Sequence, residues 1–135
     1  MKKELIGIWL DLKEATIVKL DGDTEKLEQV NSEIEDFHPK GGSRSKQAYG
    51  PMEKVSEKKY LQRRKQQMKA YFKTIKAHLM EAKEVFIFGP AETKDHFFKD
   101  LEEDNTVQFT IKGVERADSM TQNQKVAKVK AVFGI

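Results

Sequence analysis

The stretch EVFIFGPAETKDHFFKDLEED, residues 84–104, decides the fold. EVFIFG is a compact apolar run, which predicts a buried strand that ends at Gly89. The segment after it opens with Pro90, which suits the first turn of a helix, and it places Phe97 and Leu101 four residues apart on one helical face. A strand that leads into a helix, with a further strand after it, predicts a parallel βαβ unit with a right-handed crossover.

Four more strands are predicted, of which three precede this unit and one completes it. ELIGIWLDL (4–12) is a short apolar run, and ATIVKLDGD (15–23) is rich in β-branched residues and ends in an Asp-Gly-Asp turn. TEKLEQVNSEIEDF (24–37) alternates loosely, which predicts a third strand and an antiparallel meander. After the second helix, TVQFTIKGVER (106–116) alternates apolar and polar residues and predicts the last strand.

Two further helices are predicted. Residues 52–83 contain no Gly or Pro, and their apolar residues step by seven, four, three and four along one stripe, which we expect to pack on the sheet. This stripe consists of Leu61, Met68, Phe72, Ile75 and Leu79. TQNQKVAKVKAVF (121–133) closes the chain as a helix. The element order β-β-β-α-β-α-β-α predicts an α/β fold of the ribonuclease H-like, or translational-machinery-component, type, with a mixed five-stranded sheet and packed helices.

Composition limits the class of protein. A chain of 135 residues predicts one domain, spanning residues 1–135, with a core of its own. It has no cysteines, which excludes disulfides, thiolate metal sites and a cysteine nucleophile, and favours the cytoplasm. The apolar run near the N-terminus is interrupted by Asp11 and is too short for a signal peptide or a membrane span, so no membrane partner is predicted.

The net charge of +3 conceals a segregation of charge along the chain. Residues 38–76 hold twelve of the 25 Lys and Arg residues but only two of the 22 acids, so their net charge is +10 and that of the rest is −7. A solvated helix face usually mixes signs through Glu–Lys pairs four residues apart, yet no acid occurs between Lys58 and Lys76. Such segregation favours a polyanionic partner, and we predict RNA.

Of all parts of the chain, the stretch HPKGGSRSKQAYGP, residues 38–51, is the least typical of a strand or a helix of the fold. It combines glycines, prolines and cations and contains no acid, which predicts a flexible basic loop before the long helix. The loop and the helix together supply the predicted RNA-binding residues, which are His38, Lys40, Arg44, Lys46, Arg63, Arg64, Lys65, Lys69, Lys73 and Lys76.

Two of these segments resemble a known family. HPKGGSRS (38–45) resembles the loop in the middle domain of archaeal and eukaryotic class-1 peptide-chain release factors, where a His and basic residues precede a Gly-Gly-Gln motif. FIFGPAETKDHFFKDL (86–101) is similar to the strand and helix of that domain, in which Gly-Pro is followed by Thr-Lys, an acid and a Phe. IWLDLKEATIVKL (8–20) and GGSRSKQAYG (41–50) also resemble its stand-alone bacterial relatives, some of them called host-attachment proteins. The resemblance spans most of the chain and implies a ribonuclease H-like fold and a role at the ribosome.

The loop also departs from the family pattern. In the release factors, the glutamine after Gly-Gly helps to position a water against the peptidyl-tRNA ester. Here Gly41 and Gly42 are followed by Ser43, and the nearest glutamine is Gln47. A displacement of about 1 Å can cost two orders of magnitude in rate. Gly41, Gly42, Ser43 and Gln47 are therefore named as candidates for catalysis, but no catalytic role is assigned to any of them. Whether any peptidyl-tRNA hydrolysis remains is left open.

The predicted function is therefore binding of ribosomal RNA or tRNA, with action on stalled ribosomes, by a cytoplasmic protein. The alternative is a non-catalytic interaction module whose basic helix binds an acidic protein. No cofactor and no metal are predicted, because the three histidines lack the spacing of metal ligands. Asp11 lies at the end of the first predicted strand, and Asp21 and Asp23 lie in the turn after the second. A strand end and a hairpin explain these positions more simply than the converging carboxylates of a two-metal nuclease.

Overall fold

The computed structural model describes residues 3–35 and 51–135, with side chains from residue 56 in the second range. The predicted flexible loop lies outside the described residues, apart from Pro51. The elements are β1 Glu4–Leu10, β2 Glu14–Asp21, β3 Thr24–Asn31, α1 Pro51–Ala77, β4 Ala82–Gly89, α2 Thr93–Glu103, β5 Thr110–Arg116 and α3 Gln122–Phe133. The predicted element order and the α/β class are confirmed. No helix in the described ranges is long and apolar enough to cross a bilayer.

The strands form one five-stranded sheet in the order β3-β2-β1-β4-β5. β1 pairs antiparallel with β2, and β2 with β3, which is the predicted meander. Gly22 turns the hairpin between β2 and β3 with a φ of 61°, a left-handed conformation that glycine adopts without steric cost. β4 lies parallel to both β1 and β5, so the predicted mixed sheet is confirmed.

Helices cover both faces of the sheet. On one face, α1 and α2 pack over a core that includes Ile8 and Ile87. On the other face, α3 packs over a second core that includes Trp9 and Phe88. Alternate residues of a strand point to opposite faces, which explains why β1 and β4, at the centre of the sheet, are apolar almost throughout.

α3 packs directly against the backbone of β1. A β-carbon on Gly7 would lie 2.2 Å from Cγ2 of Val129, a fully buried residue of α3. The start of the helix is fixed by a capping box, in which Thr121 Oγ1 accepts from the amide of Gln124 at 3.1 Å and Gln124 Oε1 accepts from the amide of Thr121 at 2.9 Å. This packing fixes the orientation of α3 on the sheet.

Four element boundaries differ from the sequence predictions by three residues or more. β3 ends at Asn31 rather than at residue 37, β5 begins at Thr110 rather than at residue 106, and α1 ends at Ala77 rather than at residue 83. α2 begins at Thr93 rather than at Pro90, because Ala91 has a φ of 52° and is not helical. The chain therefore makes a tight turn between β4 and α2.

The apolar stripe of α1 is buried in part. Phe72, Ile75 and Leu79 belong to the core, and Met68 packs against it, as predicted. The prediction was wrong for Leu61, whose exposed fraction is 54%.

The 27 residues of α1 extend over about 40 Å at 1.5 Å per residue. A strand of eight residues extends over only about 26 Å. Length alone therefore leaves α1 more residues than the sheet beneath it can bury.

Candidate functional site

A groove of about 1350 Å³ opens at the carboxyl ends of the parallel strands. It is lined by Asp11, which follows β1, by Pro90, which follows β4, and by Arg116 at the end of β5. α1 contributes lining residues between positions 61 and 72, and α2 contributes others between positions 93 and 103. The carboxyl edge of the strands is where α/β sheets usually bind their ligands, because loops and helix starts converge there.

Cations predominate in this groove. Seven Lys and Arg residues line it, against four acids. The cations are Lys13, Arg64, Lys65, Lys69, Lys94, Lys99 and Arg116. Within the described ranges, only Lys94 of the seven has an acidic partner, since its Nζ lies 3.2 Å from Asp95 Oδ2. Its ammonium also donates to the carbonyl oxygen of Ala91, and the residue is buried. The other six cations have no acid within ion-pair distance in that part of the chain.

Three of the four acids in the groove already have partners. Asp11 Oδ1 accepts from the backbone amides of Lys13 and Glu14, at 2.8 and 2.9 Å, and so shapes the turn between β1 and β2. Asp100 Oδ2 lies 2.9 Å from the Nζ of Lys76. The third, Glu92, lies 3.9 Å from the ring of His96. The charge available to a ligand in the groove is therefore mainly positive.

Arg63, a predicted RNA-binding residue on α1, is held by Glu35. Its Nη2 lies 3.0 Å from Glu35 Oε1, and its Nε donates to Glu35 Oε2 at 3.1 Å. This pair lowers the pKa of Glu35 and raises that of Arg63. Gln67 makes two hydrogen bonds of 3.0 Å with Glu35. Its Nε2 donates to the carboxylate of Glu35, and its Oε1 accepts from the backbone amide of Glu35. Glu35, the last described residue before the segment that holds the predicted loop, is thus fixed on α1.

Lys76, the last predicted cation of α1, also has acidic partners. Its Nζ lies 2.9 Å from Oδ2 of both Asp100 and Asp104. Burial opposes the charge of Lys76, yet these two carboxylates raise its pKa. The pKa of Asp104 is lowered, first by the hydroxyl of Thr106 and then by Lys76. The charge of Lys76 is therefore balanced within the protein.

The predicted site residues fall into three groups. His38, Lys40, Arg44 and Lys46, with the catalytic candidates Gly41, Gly42, Ser43 and Gln47, lie outside the described residues. Arg64, Lys65 and Lys69 line the groove. Arg63 and Lys76 are paired with acids, while Lys73 is exposed and lines a second groove on α1.

Four cations of the groove were missed by sequence reasoning. They are Lys13, Lys94, Lys99 and Arg116. None belongs to the basic segment, so a count of charge along the chain passes over them. The signal that could have found three of them is position, because Lys13, Lys94 and Arg116 stand at or just after the carboxyl end of a predicted parallel strand.

Apolar side chains lie among these cations. Leu12 is 37% exposed and Leu61 is 54% exposed, and both line the groove. Met68 and Phe72 of α1 line it as well and connect it to the core beneath. The Nε of Arg64 is enclosed and has no hydrogen-bond partner among the described residues. The groove thus combines cations with apolar surface.

No family model matches the chain, and no curated protein matches it. Solved structures that are similar to it include the following three. Pelota from Thermoplasma acidophilum matches with a TM-score of 0.56 and 17% identity over 96% of this chain. The archaeal translation termination factor aRF1 matches with a TM-score of 0.52 and 14% identity over 98% of this chain. Pelota from Archaeoglobus fulgidus matches with a TM-score of 0.55 and 14% identity over 98%.

These likenesses show the fold. The match covers 32%, 35% and 32% of the three solved chains, so this chain spans about a third of their length. The α/β fold with a mixed five-stranded sheet is therefore one that also occurs within Pelota and aRF1.

Proposed function

We propose that this protein binds ribosomal RNA or tRNA on the ribosome, stalled ribosomes included, as a cytoplasmic relative of the middle domain of class-1 release factors. The observation that carries the proposal is the groove beside α1, in which six cations have no acidic partner within the described ranges. The fold supports it, because Pelota and a translation termination factor contain the same fold. Gly-Pro followed by Thr-Lys and Phe at residues 89–97 supports it in sequence.

RNA is favoured because unpaired cations gain most from a dense row of phosphates. Each phosphate that a Lys or Arg neutralises releases condensed counterions, which drives binding at low salt. Arg63 and Lys76 gain less, because each already faces a carboxylate. The proposed helix contacts are therefore Arg64, Lys65, Lys69 and Lys73, together with Lys40, Arg44 and Lys46 of the loop.

Binding, rather than release of the peptide, is the proposed activity. Ser43 stands where the release factors have the glutamine that positions the attacking water. A serine hydroxyl is shorter than an amide and does not reproduce its contacts.

Co-sedimentation with ribosomes across a salt series tests this function. We expect the logarithm of the affinity to fall with the logarithm of the salt concentration with a slope of about −3 to −5, from four to six phosphate contacts. The variant R64Q/K65Q/K69Q should flatten that slope by about 2. The variant K26Q/K83Q/K112Q removes the same charge from exposed lysines outside the groove and should keep the slope of the unchanged protein.

Two outcomes would contradict the proposal. The first is the absence of ribosome binding at low salt. The second is recovery of an acidic protein, and no RNA, after crosslinking and pulldown, which would favour the interaction module instead.

A further inference from the structure

We infer that the groove between α1 and α2 binds a single strand of RNA, with the phosphodiester backbone between two rows of cations. This inference rests on the proposed function and specifies its site and its substrate class. The sequence pattern did not indicate the cations that line the groove outside α1. The fold alone brings them together with the cations of α1.

The cations face the groove from two sides. Arg64, Lys65 and Lys69 come from α1. Lys13 comes from the turn after β1, Lys99 from α2 and Arg116 from the end of β5. A single flexible backbone can pass between two such rows and contact both. A duplex carries its phosphates on the outside of a stiff cylinder, so we expect it to contact the outer face of α1 rather than to follow the groove between the rows.

The apolar residues of the groove also suit a single strand. Leu12 and Leu61 expose apolar surface at the groove, and Met68 lies half-buried between the cations of α1. The faces of unpaired bases are apolar, and proteins bind single strands by combining a cationic track with surfaces on which bases lie. In a duplex these faces are stacked on one another and unavailable to side chains.

The size of the groove favours a segment of a polymer over a small molecule. Pockets for drug-sized ligands usually measure about 300–1,000 Å³. This groove measures about 1350 Å³ and is built from three strand ends and two helices.

The start of α2 lines the groove with backbone amides and also carries the carboxylates of Glu92 and Asp95. Ala91 adopts a φ of 52°, and the N-cap residue Glu92 makes no side-chain hydrogen bond to the helix. The first amides of α2 therefore have no side-chain cap at an end of the helix that lines the groove, and the helix dipole gives this end a partial positive charge. The cations of the groove outnumber its acids, and this excess of positive charge favours an anionic backbone.

Fluorescence anisotropy with two RNA probes tests the inference. One probe is a labelled oligouridylate of about 12 nucleotides, within the site sizes known for cationic single-strand grooves. The other is an RNA duplex of the same length. The variant K13Q/K99Q/R116Q changes only the side of the groove opposite α1, and K26Q/K83Q/K112Q is its charge-matched control.

We expect the unchanged protein to bind the single strand roughly tenfold or more tightly than the duplex. The variant K13Q/K99Q/R116Q should lose roughly tenfold in affinity for the single strand and flatten its salt slope by about 2. Its affinity for the duplex, and the affinity of the control variant for both probes, should change less than about twofold. Thermal unfolding of each variant shows whether the fold is kept, and the single substitutions replace any triple variant that unfolds.

The outcomes separate this inference from the proposed function. Ribosome binding that depends on Arg64, Lys65 and Lys69 but not on Lys13, Lys99 and Arg116 would keep the proposed function and overturn the groove. Equal affinity for strand and duplex would overturn the substrate class, as would tighter binding of a polyglutamate peptide than of the oligouridylate. Failure of both probes and of ribosomes to bind would overturn both.

Discussion

The carbonyl oxygen of Leu10 lies 2.2 Å from the point at which a β-carbon on residue 89 would stand, so the end of β1 leaves room only for glycine at the end of β4. Gly89 has a φ of 152°, a conformation that side chains disfavour. Its carbonyl oxygen accepts from the amide of Ala117 at 2.9 Å, which holds the chain after β5 to the same place. Gly89 is therefore a packing requirement at the edge of the sheet where the groove opens.

Gly89→Ala should consequently destabilise the protein by about 3 kcal/mol or more, because the obstacle is backbone and cannot rotate away. Urea unfolding followed by the fluorescence of Trp9, the single tryptophan, would measure the loss. Gly113→Ala is the matched control, since its β-carbon would meet only Phe86, at 3.8 Å. If both variants proved equally stable, the steric argument for Gly89 would be wrong.

Leu61 and Ile75 belong to the same predicted stripe of α1, but the structure assigns them opposite environments. Leu61 is 54% exposed, so Leu61→Gln should change the free energy of unfolding by no more than about 0.5 kcal/mol. Ile75 is fully buried in the core, so Ile75→Ala should cost about 2–5 kcal/mol. Denaturant unfolding of the two variants decides the matter. A large loss for Leu61→Gln would mean that the N-terminal half of α1 does pack on another part of the chain.

The difference between Leu61 and Ile75 shows what the sequence can and cannot predict. Periodicity identified the strands, the helices and the buried end of α1, because each element carries its own apolar pattern. It could not show where the sheet beneath α1 stops, because that depends on the length of other elements. Nor could it bring Lys13 and Arg116 together with Lys69, since these three are separated along the chain and meet only when β1 and β5 lie parallel to β4.

The loop sequence leads to a prediction about catalysis. Because Ser43 replaces the glutamine of the release factors, the unchanged protein should release little or no peptide from peptidyl-tRNA on ribosomes. Ser43→Gln should raise the rate of release if the loop can place the amide as the release factors do. Single-turnover release of labelled peptide would measure both. Robust release by the unchanged protein, abolished by Ser43→Ala, would show that the serine itself orients the water.

On the face of the sheet away from the groove, Lys125 of α3 is buried without a carboxylate within ion-pair distance among the described residues. Its Nζ lies 3.9 Å from the centre of the Trp9 ring and donates to Thr16 Oγ1 at 3.1 Å. Burial lowers the pKa of Lys125, and the more distant carboxylates of Glu14 and Asp11 oppose that shift only in part. The folded protein therefore holds this proton less tightly than the unfolded chain does.

The sign of the resulting pH dependence follows from linkage. The unfolded chain binds the proton up to about pH 10.5, the ordinary value for lysine, whereas the folded protein releases it at lower pH. Between these two values, the stability of the unchanged protein should rise with pH relative to Lys125→Met, by at most about 1.4 kcal/mol per pH unit, the limit for one proton. Urea unfolding from pH 7 to 10.5 would measure this difference, in which the titration of the tyrosines cancels because both proteins contain them. Lys112→Met, at an exposed position of β5, should show no such trend. A stability difference between the unchanged protein and Lys125→Met that stays constant, or falls, as pH rises would mean that Lys125 keeps its charge in the folded protein as easily as in water.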